Sequence, residues 1–158
     1  MTMTPLRSWM LALGFAAAVL SGAARAMGDD DDGVPVEANP DYAKAKQAIE
    51  AKDWNAAVEP LERAVAAQPE RADVHNYLGY AERHRGNLDA AFKHYERALA
   101  LDPKHRGAHE YVGEAYLVVG NLAKAEEHLA ALDRLCFFPC QEYRELRDKV
   151  AEYKRKPR

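Results

Sequence analysis

The chain repeats itself at a step of 34 residues, and a period of that length admits very few architectures. Leu78-Gly79 recurs as Val112-Gly113, and Gly86-Asn87-Leu88 as Gly120-Asn121-Leu122. Ala91 falls on Ala125, Tyr95 on Leu129 and Leu101 on Leu135. One step back, Asp53-Trp54 underlies Asn87-Leu88, Ala57 underlies Ala91, Leu61 underlies Tyr95, Ala64 underlies Ala98, and Pro69 underlies Pro103. The register runs without a gap from Ala38 to Leu135, giving copies at 38–71, 72–105 and 106–139. Each copy is too small to bury an apolar face alone, so neighbours must stack to make a core.

Inside each copy the apolar residues fall at helical spacing on both sides of a turn. In the middle copy these are Val74, Tyr77, Leu78 and Ala81, then Leu88, Ala91, Phe92, Tyr95, Ala98 and Leu99. The turn is Arg85-Gly86-Asn87, where glycine can take the left-handed conformation that ends a helix. The pattern predicts helices near 41–51, 56–68, 72–85, 88–101, 107–119 and 122–135. Pro69 and Pro103 mark stops, because proline cannot continue a helix. Pro60 lies inside a predicted helix and is expected to bend it if a backbone hydrogen bond is lost.

These residues resemble the tetratricopeptide repeat family, whose pattern is W-x2-L-G-x2-Y, then A-x3-F, then P. The middle copy reads His75-x2-Leu78-Gly79-x2-Glu82, then Ala91-x3-Tyr95, then Pro103. The first copy departs most, with Lys44-Ala45 in place of Leu-Gly and Lys52 in place of the turn glycine, as terminal repeats tend to. The resemblance implies an all-α fold: three helix-turn-helix repeats in a right-handed superhelical stack. Gln141–Tyr153 adds a predicted seventh helix with an apolar stripe of Tyr143, Leu146, Val150 and Tyr153, suited to cap the stack. The segment Cys136-Phe-Phe-Pro-Cys140-Gln-Glu-Tyr143-x2-Leu146 resembles the end of small exported bacterial members of the family.

The resemblance also implies a concave groove lined by the first helix of each repeat. Carried over position by position, it supplies Asn39, Tyr42, Lys46, Ile49 and Glu50, then Asp73, Asn76, Tyr80, Arg83 and His84, then Gly107, Glu110, Glu114, Leu117 and Val118. Tyr42, Lys46, Asn76, Tyr80, Arg83, His84, Glu110 and Glu114 are the expected contacts for a protein or peptide segment. Aromatic rings and arginine commonly dominate such contacts. Family members that clamp the acidic tails of cytosolic chaperones use a Lys–Asn set and a Lys–Arg pair. The matching positions are Tyr42 and Lys46, Tyr77, and Gly107 and Tyr111, so that clamp is absent.

The ends of the chain read differently. Arg7, an apolar run from Trp9 to Leu20, and Ala24-Arg25-Ala26 form a secretory signal peptide, with cleavage expected after residue 26. The run is too short to span a membrane, so no span is expected after cleavage. The protein should then be periplasmic, or outside a single-membrane cell. Residues 27–40 form an acidic linker around Asp29-Asp30-Asp31-Asp32, expected to be disordered. Placing Gly33 as the invariant glycine of a calcium loop leaves Gly28 and Asn39 where carboxylates belong, so that loop is not formed. Removing residues 1–26, which carry Arg7 and Arg25 and no acid, takes the net charge from −3 to −5. Such a chain has no basic excess for nucleic acid. Residues 154–158 are a short basic tail.

Catalytic signatures do not occur: there is no phosphate loop, no G-x-S-x-G and no H-E-x-x-H. The expected protein is a non-enzymatic scaffold without a cofactor. Cys136 and Cys140, the two cysteines, carry the alternative. In an oxidising compartment they are expected to form a disulfide. Copper(I) coordination by thiolates and dithiol redox exchange are the competing readings. His75 and His109 are 34 apart, as are His94 and His128, which repeat copying explains; they read as packing or surface residues. No metal site is expected.

Overall fold

A computed structural model describes residues 38–156, so the expected signal peptide and the acidic run lie outside the described residues. Among the described residues there are seven helices. They are α1 (Pro40–Glu50), α2 (Trp54–Ala67), α3 (Ala72–His84), α4 (Leu88–Leu101), α5 (Arg106–Val118), α6 (Leu122–Leu135) and α7 (Gln141–Arg155). Pairs α1–α2, α3–α4 and α5–α6 are the three repeats, and α7 packs on α5 and α6 as the first helix of a fourth would. The all-α stack with a terminal covering helix is the expected fold. The helix limits differ from expectation by two residues at most, and α7 runs on through Lys154 and Arg155, where Lys154 reaches Glu126.

The 34-residue step fixes the starts of the second helices. Asp53, Asn87 and Asn121 are their N-caps. Asp53 and Asn121 accept from the amides of Ala56 and Lys124 at 3.0 and 3.1 Å. Asn87 instead donates to the buried Glu82 carboxylate at 2.6 Å, and Arg85 also reaches Glu82 at 3.0 Å. The turns keep one conformation in all three copies. Gly86 and Gly120 have φ of 86° and 77°, and Lys52 adopts 58° without being glycine. Pro60 is buried within α2, and the helix continues through it. The carbonyl that would have accepted from that missing N–H belongs to Ala56, an exposed residue.

Three apolar clusters run along the stack. Tyr42, Leu61, Val74 and Leu78 join α1, α2 and α3. Ala91, Tyr95, Val112 and Ala115 join α4 to α5. Ala125, Leu132, Leu146 and Val150 join α6 to α7. Among the first helices of the repeats α3 packs on α5, and α5 packs on α7, while no packing of comparable extent joins the second helices α2, α4 and α6. The stack is therefore tighter on the α3–α5–α7 side, the side on which the groove was expected. Cys136 and Cys140 form a disulfide that ties the end of α6 to the start of α7. It displays Phe137 and Phe138 at 94% and 75% exposure.

Candidate functional site

A connected aromatic ridge crosses the face formed by α3 and α5. Tyr80 is its centre: its ring lies 4.5 Å from Tyr111, 4.5 Å from His84 and 5.6 Å from Trp54. Trp54, the first residue of α2, stacks on His84 at 4.1 Å with 14° between the planes. The helix spacing explains the assembly. Tyr80 and His84 are four residues apart and share one face of α3, while Trp54 reaches across from the start of α2. Burial pushes the Tyr80 phenol above its usual pKa. Burial, then the charges of Arg83 and Lys149, hold the His84 imidazole below the usual value. His84 is thus neutral near pH 7, and its Nε2 faces Arg83 Nη2 at 3.4 Å.

Arg83 links the ridge to a charged cleft. Its guanidinium stands 5.3 Å from the Tyr80 ring centroid and pairs with Glu114 at 2.9 Å. The pair is largely shielded, so its geometry matters more than that of a surface ion pair. The cleft beside it has a volume of about 340 Å³ and lies between α3, α5 and α7. Leu117 and Val118 form its apolar wall, and Lys149, Glu152 and Tyr153 of α7 the opposite one. Such a surface can bind: it offers rings, an apolar step and both signs of charge. It holds no paired nucleophile and base. Among the described residues, no group of three or more His, Cys, Asp or Glu is placed to hold a metal ion.

The eight residues singled out from the sequence divide into two sets. Tyr80, Arg83, His84 and Glu114 come together as described, and His84 is exposed. Lys46 lies apart from them over the Tyr42 ring, at 5.8 Å. Tyr42, Asn76 and Glu110 are buried, so in this conformation they support the face from beneath. Tyr42 packs edge-on against Tyr77, their centroids 5.6 Å apart. The Asn76 side-chain oxygen is buried without a hydrogen-bond partner. Glu110 is covered by α7. Burial, then a hydrogen bond to Glu145, raises its carboxyl to a pKa of about 9, so it is protonated.

Sequence reasoning missed Trp54, Tyr111, Lys149 and Tyr153. Trp54 was legible as an anomaly, because the matching positions hold Leu88 and Leu122, and a larger ring at a helix start must lie over something. The α7 residues were not, because the stripe of a covering helix does not say which neighbour it leans toward.

Two family models, both described as tetratricopeptide repeat, match residues 42–105 and 82–135. No curated protein sequence matches the chain. Many solved structures match the fold. One is the Yersinia enterocolitica type III secretion chaperone SycD in complex with a peptide of the translocator YopD. It is 21% identical, with a TM-score of 0.62, covering 72% of this chain and 86% of that one. A second is the TPR2B domain of yeast Sti1 in a pHsp70 complex, 20% identical at TM-score 0.63, covering 71% and 94%. A third is the Arabidopsis OM64 TPR domain, 18% identical at TM-score 0.62, covering 70% and 91%. At these identities the likeness is one of fold.

Proposed function

Because the chain belongs to the tetratricopeptide repeat family, we propose that it is an exported, non-catalytic scaffold that binds a peptide segment of another protein. The ridge of Trp54, Tyr80, His84 and Tyr111 beside the Arg83–Glu114 cleft carries this reading. Rings held by neighbouring rings lose little freedom on binding, so their apolar area is available to a partner at low entropic cost. Two structures of similar fold contain peptide partners, the YopD segment and pHsp70, which supports peptide binding as the use of this face. The occupant that fits is an extended or helical segment with an aromatic or aliphatic anchor over Tyr80 and a charged residue over the cleft. Export rests on the signal peptide of residues 1–26 and places the partner in the periplasm or outside the cell.

The experiment is in-cell crosslinking and capture with the full chain, comparing wild type with Trp54→Ala/His84→Ala. His84 is exposed and Trp54 half-buried, so the pair tests the ridge without removing a core residue. Loss of captured partners with unchanged circular dichroism is expected. An unchanged capture profile counts against the ridge. Copper or thiol chemistry at Cys136 and Cys140 is the second reading. Its copper version requires the reduced pair, because a sulfur bonded to sulfur offers no thiolate, whereas redox exchange would start from the disulfide itself.

A further inference from the structure

Two histidine pairs stand at equivalent places in the second and third repeats. His75 of α3 faces His94 of α4 with their Nδ1 atoms 3.3 Å apart. His109 of α5 faces His128 of α6 with the same atoms 2.9 Å apart. In each pair the first histidine is held from behind. His75 Nε2 lies 2.9 Å from the Pro69 carbonyl oxygen, and His109 Nε2 lies 3.1 Å from that of Pro103. A carbonyl only accepts, so the ring proton sits on Nε2 and Nδ1 presents a bare lone pair. A backbone carbonyl orients metal-binding imidazoles in this way.

The facing rings are collinear. Their centroids are 5.5 and 5.2 Å apart, which exceeds the nitrogen separations by 2.2 and 2.3 Å. That excess is the sum of the two centroid-to-nitrogen distances, one in each ring, so the lone-pair axes meet head on. Without metal, the second histidine fills the gap with its own Nδ1 proton. Among the described residues no third His, Cys, Asp or Glu joins either pair, whereas tetrahedral zinc takes three or four protein ligands. Two neutral imidazoles on one line suit a monovalent d10 ion, which accepts two ligands, and imidazole is a good copper ligand. His94 and His128 each line a surface cleft, the first with Asn87 and Lys93, the second with Glu127 and Arg134, so an ion has a route in.

We propose that His75–His94 and His109–His128 are two equivalent linear sites for copper(I), one inside each of the last two repeats. Loading moves the Nδ1 proton of His94 or His128 to its own Nε2 through solvent, so each ring stays neutral and no proton is released. Each pair opens to ~4 Å, because a metal–nitrogen bond is about 2 Å.

The test uses the full mature chain with its disulfide intact, so that the cysteines cannot contribute. Silver(I) in chloride-free buffer serves as a redox-inert probe, followed by copper(I) against a competing chelator, with native mass spectrometry as the readout. Two ions per chain are expected, one in either His94→Ala or His128→Ala, and none in the double variant. In wild type, nitrogen NMR should show the Nδ1 signals of the four paired histidines move with silver while those of His84 and His105 stay. This second readout is independent of whether the variants fold. No retained ion, an undiminished load in the double variant, or shifts confined to other histidines would overturn the proposal.

Discussion

Glu110 of α5 and Glu145 of α7 share one proton across the joint between the last repeat and the helix that covers it. Burial, then its hydrogen bond to Glu145, lifts the Glu110 carboxyl to about 9. Glu145 is held below the ordinary range, first by that bond and then by Gln141, whose Nε2 donates to it at 2.7 Å. Glu110 is therefore the donor and Glu145 the charged acceptor. The contribution of Glu110 is complete below the usual glutamate value. It is lost as pH rises toward 9, because the unfolded chain has already released the proton. Glu110→Gln keeps a donor and removes the titration. It should raise stability by roughly 1 kcal/mol at pH 8 and by little at pH 5, read as the difference in Tm against wild type. Equal shifts at both pH values would mean the proton is not shared.

The turns give a paired test of backbone strain. Gly86 has φ of 86° and no atom within 4 Å of where a Cβ would stand, so Gly86→Ala changes conformational preference and nothing else. It should cost about 1–2 kcal/mol. Lys52 holds φ of 58° at the equivalent turn, so Lys52→Gly should stabilise, by roughly 0.5–1 kcal/mol once the extra freedom of the unfolded glycine is subtracted. Urea midpoints for the two variants should move in opposite directions. Movement in the same direction would show that Lys52 is held by side-chain contacts.

The same turns show what the sequence made legible. Repetition at 34 residues located every helix pair, because each copy must solve one local problem with the same residues: a cap at 53, 87 and 121, and a left-handed residue just before it. It also brought Tyr80, Arg83, His84 and Glu114 to one face. What it could not set was depth. Tyr42, Asn76 and Glu110 hold the same repeat positions as surface-lining residues elsewhere in the family, but here Tyr77 and α7 cover two of them. The histidine pairs were visible as copied residues. Their facing nitrogens were not, because ring orientation depends on the carbonyls of Pro69 and Pro103.

Acid should destabilise the third repeat through His128. Burial, then the His109 imidazole, lowers its pKa from 6.5 to about 4. In the window between those values the unfolded ring binds a proton that the folded ring does not. The contribution of His128 is complete above pH 6.5, declines as pH falls toward 4, and is constant below that. His94 shifts in the same direction. Wild-type Tm should fall over this interval more steeply than that of His128→Gln, which cannot titrate. Parallel profiles for the two proteins would refute the assignment.

The disulfide and the Gly113–Leu146 contact hold the covering helix at different points, and they should fail differently. The Cys136–Cys140 disulfide closes a short loop, so the chain-entropy model gives it only about 2 kcal/mol. Gly113 lies directly under Leu146: a Cβ there would stand 2.6 Å from Leu146 Cδ2, and Leu146 is fully buried. Gly113→Ala must therefore push α7 outward, at a cost of about 1–3 kcal/mol, which also loosens the wall of the cleft formed by Lys149 and Tyr153. Reduction should accelerate amide exchange around 136–140 and leave the amides near Leu146 and Val150 protected. Gly113→Ala should do the reverse, with the disulfide intact and the α7 amides exposed. If reduction alone releases α7, the disulfide rather than the Gly113–Leu146 contact holds the helix in place.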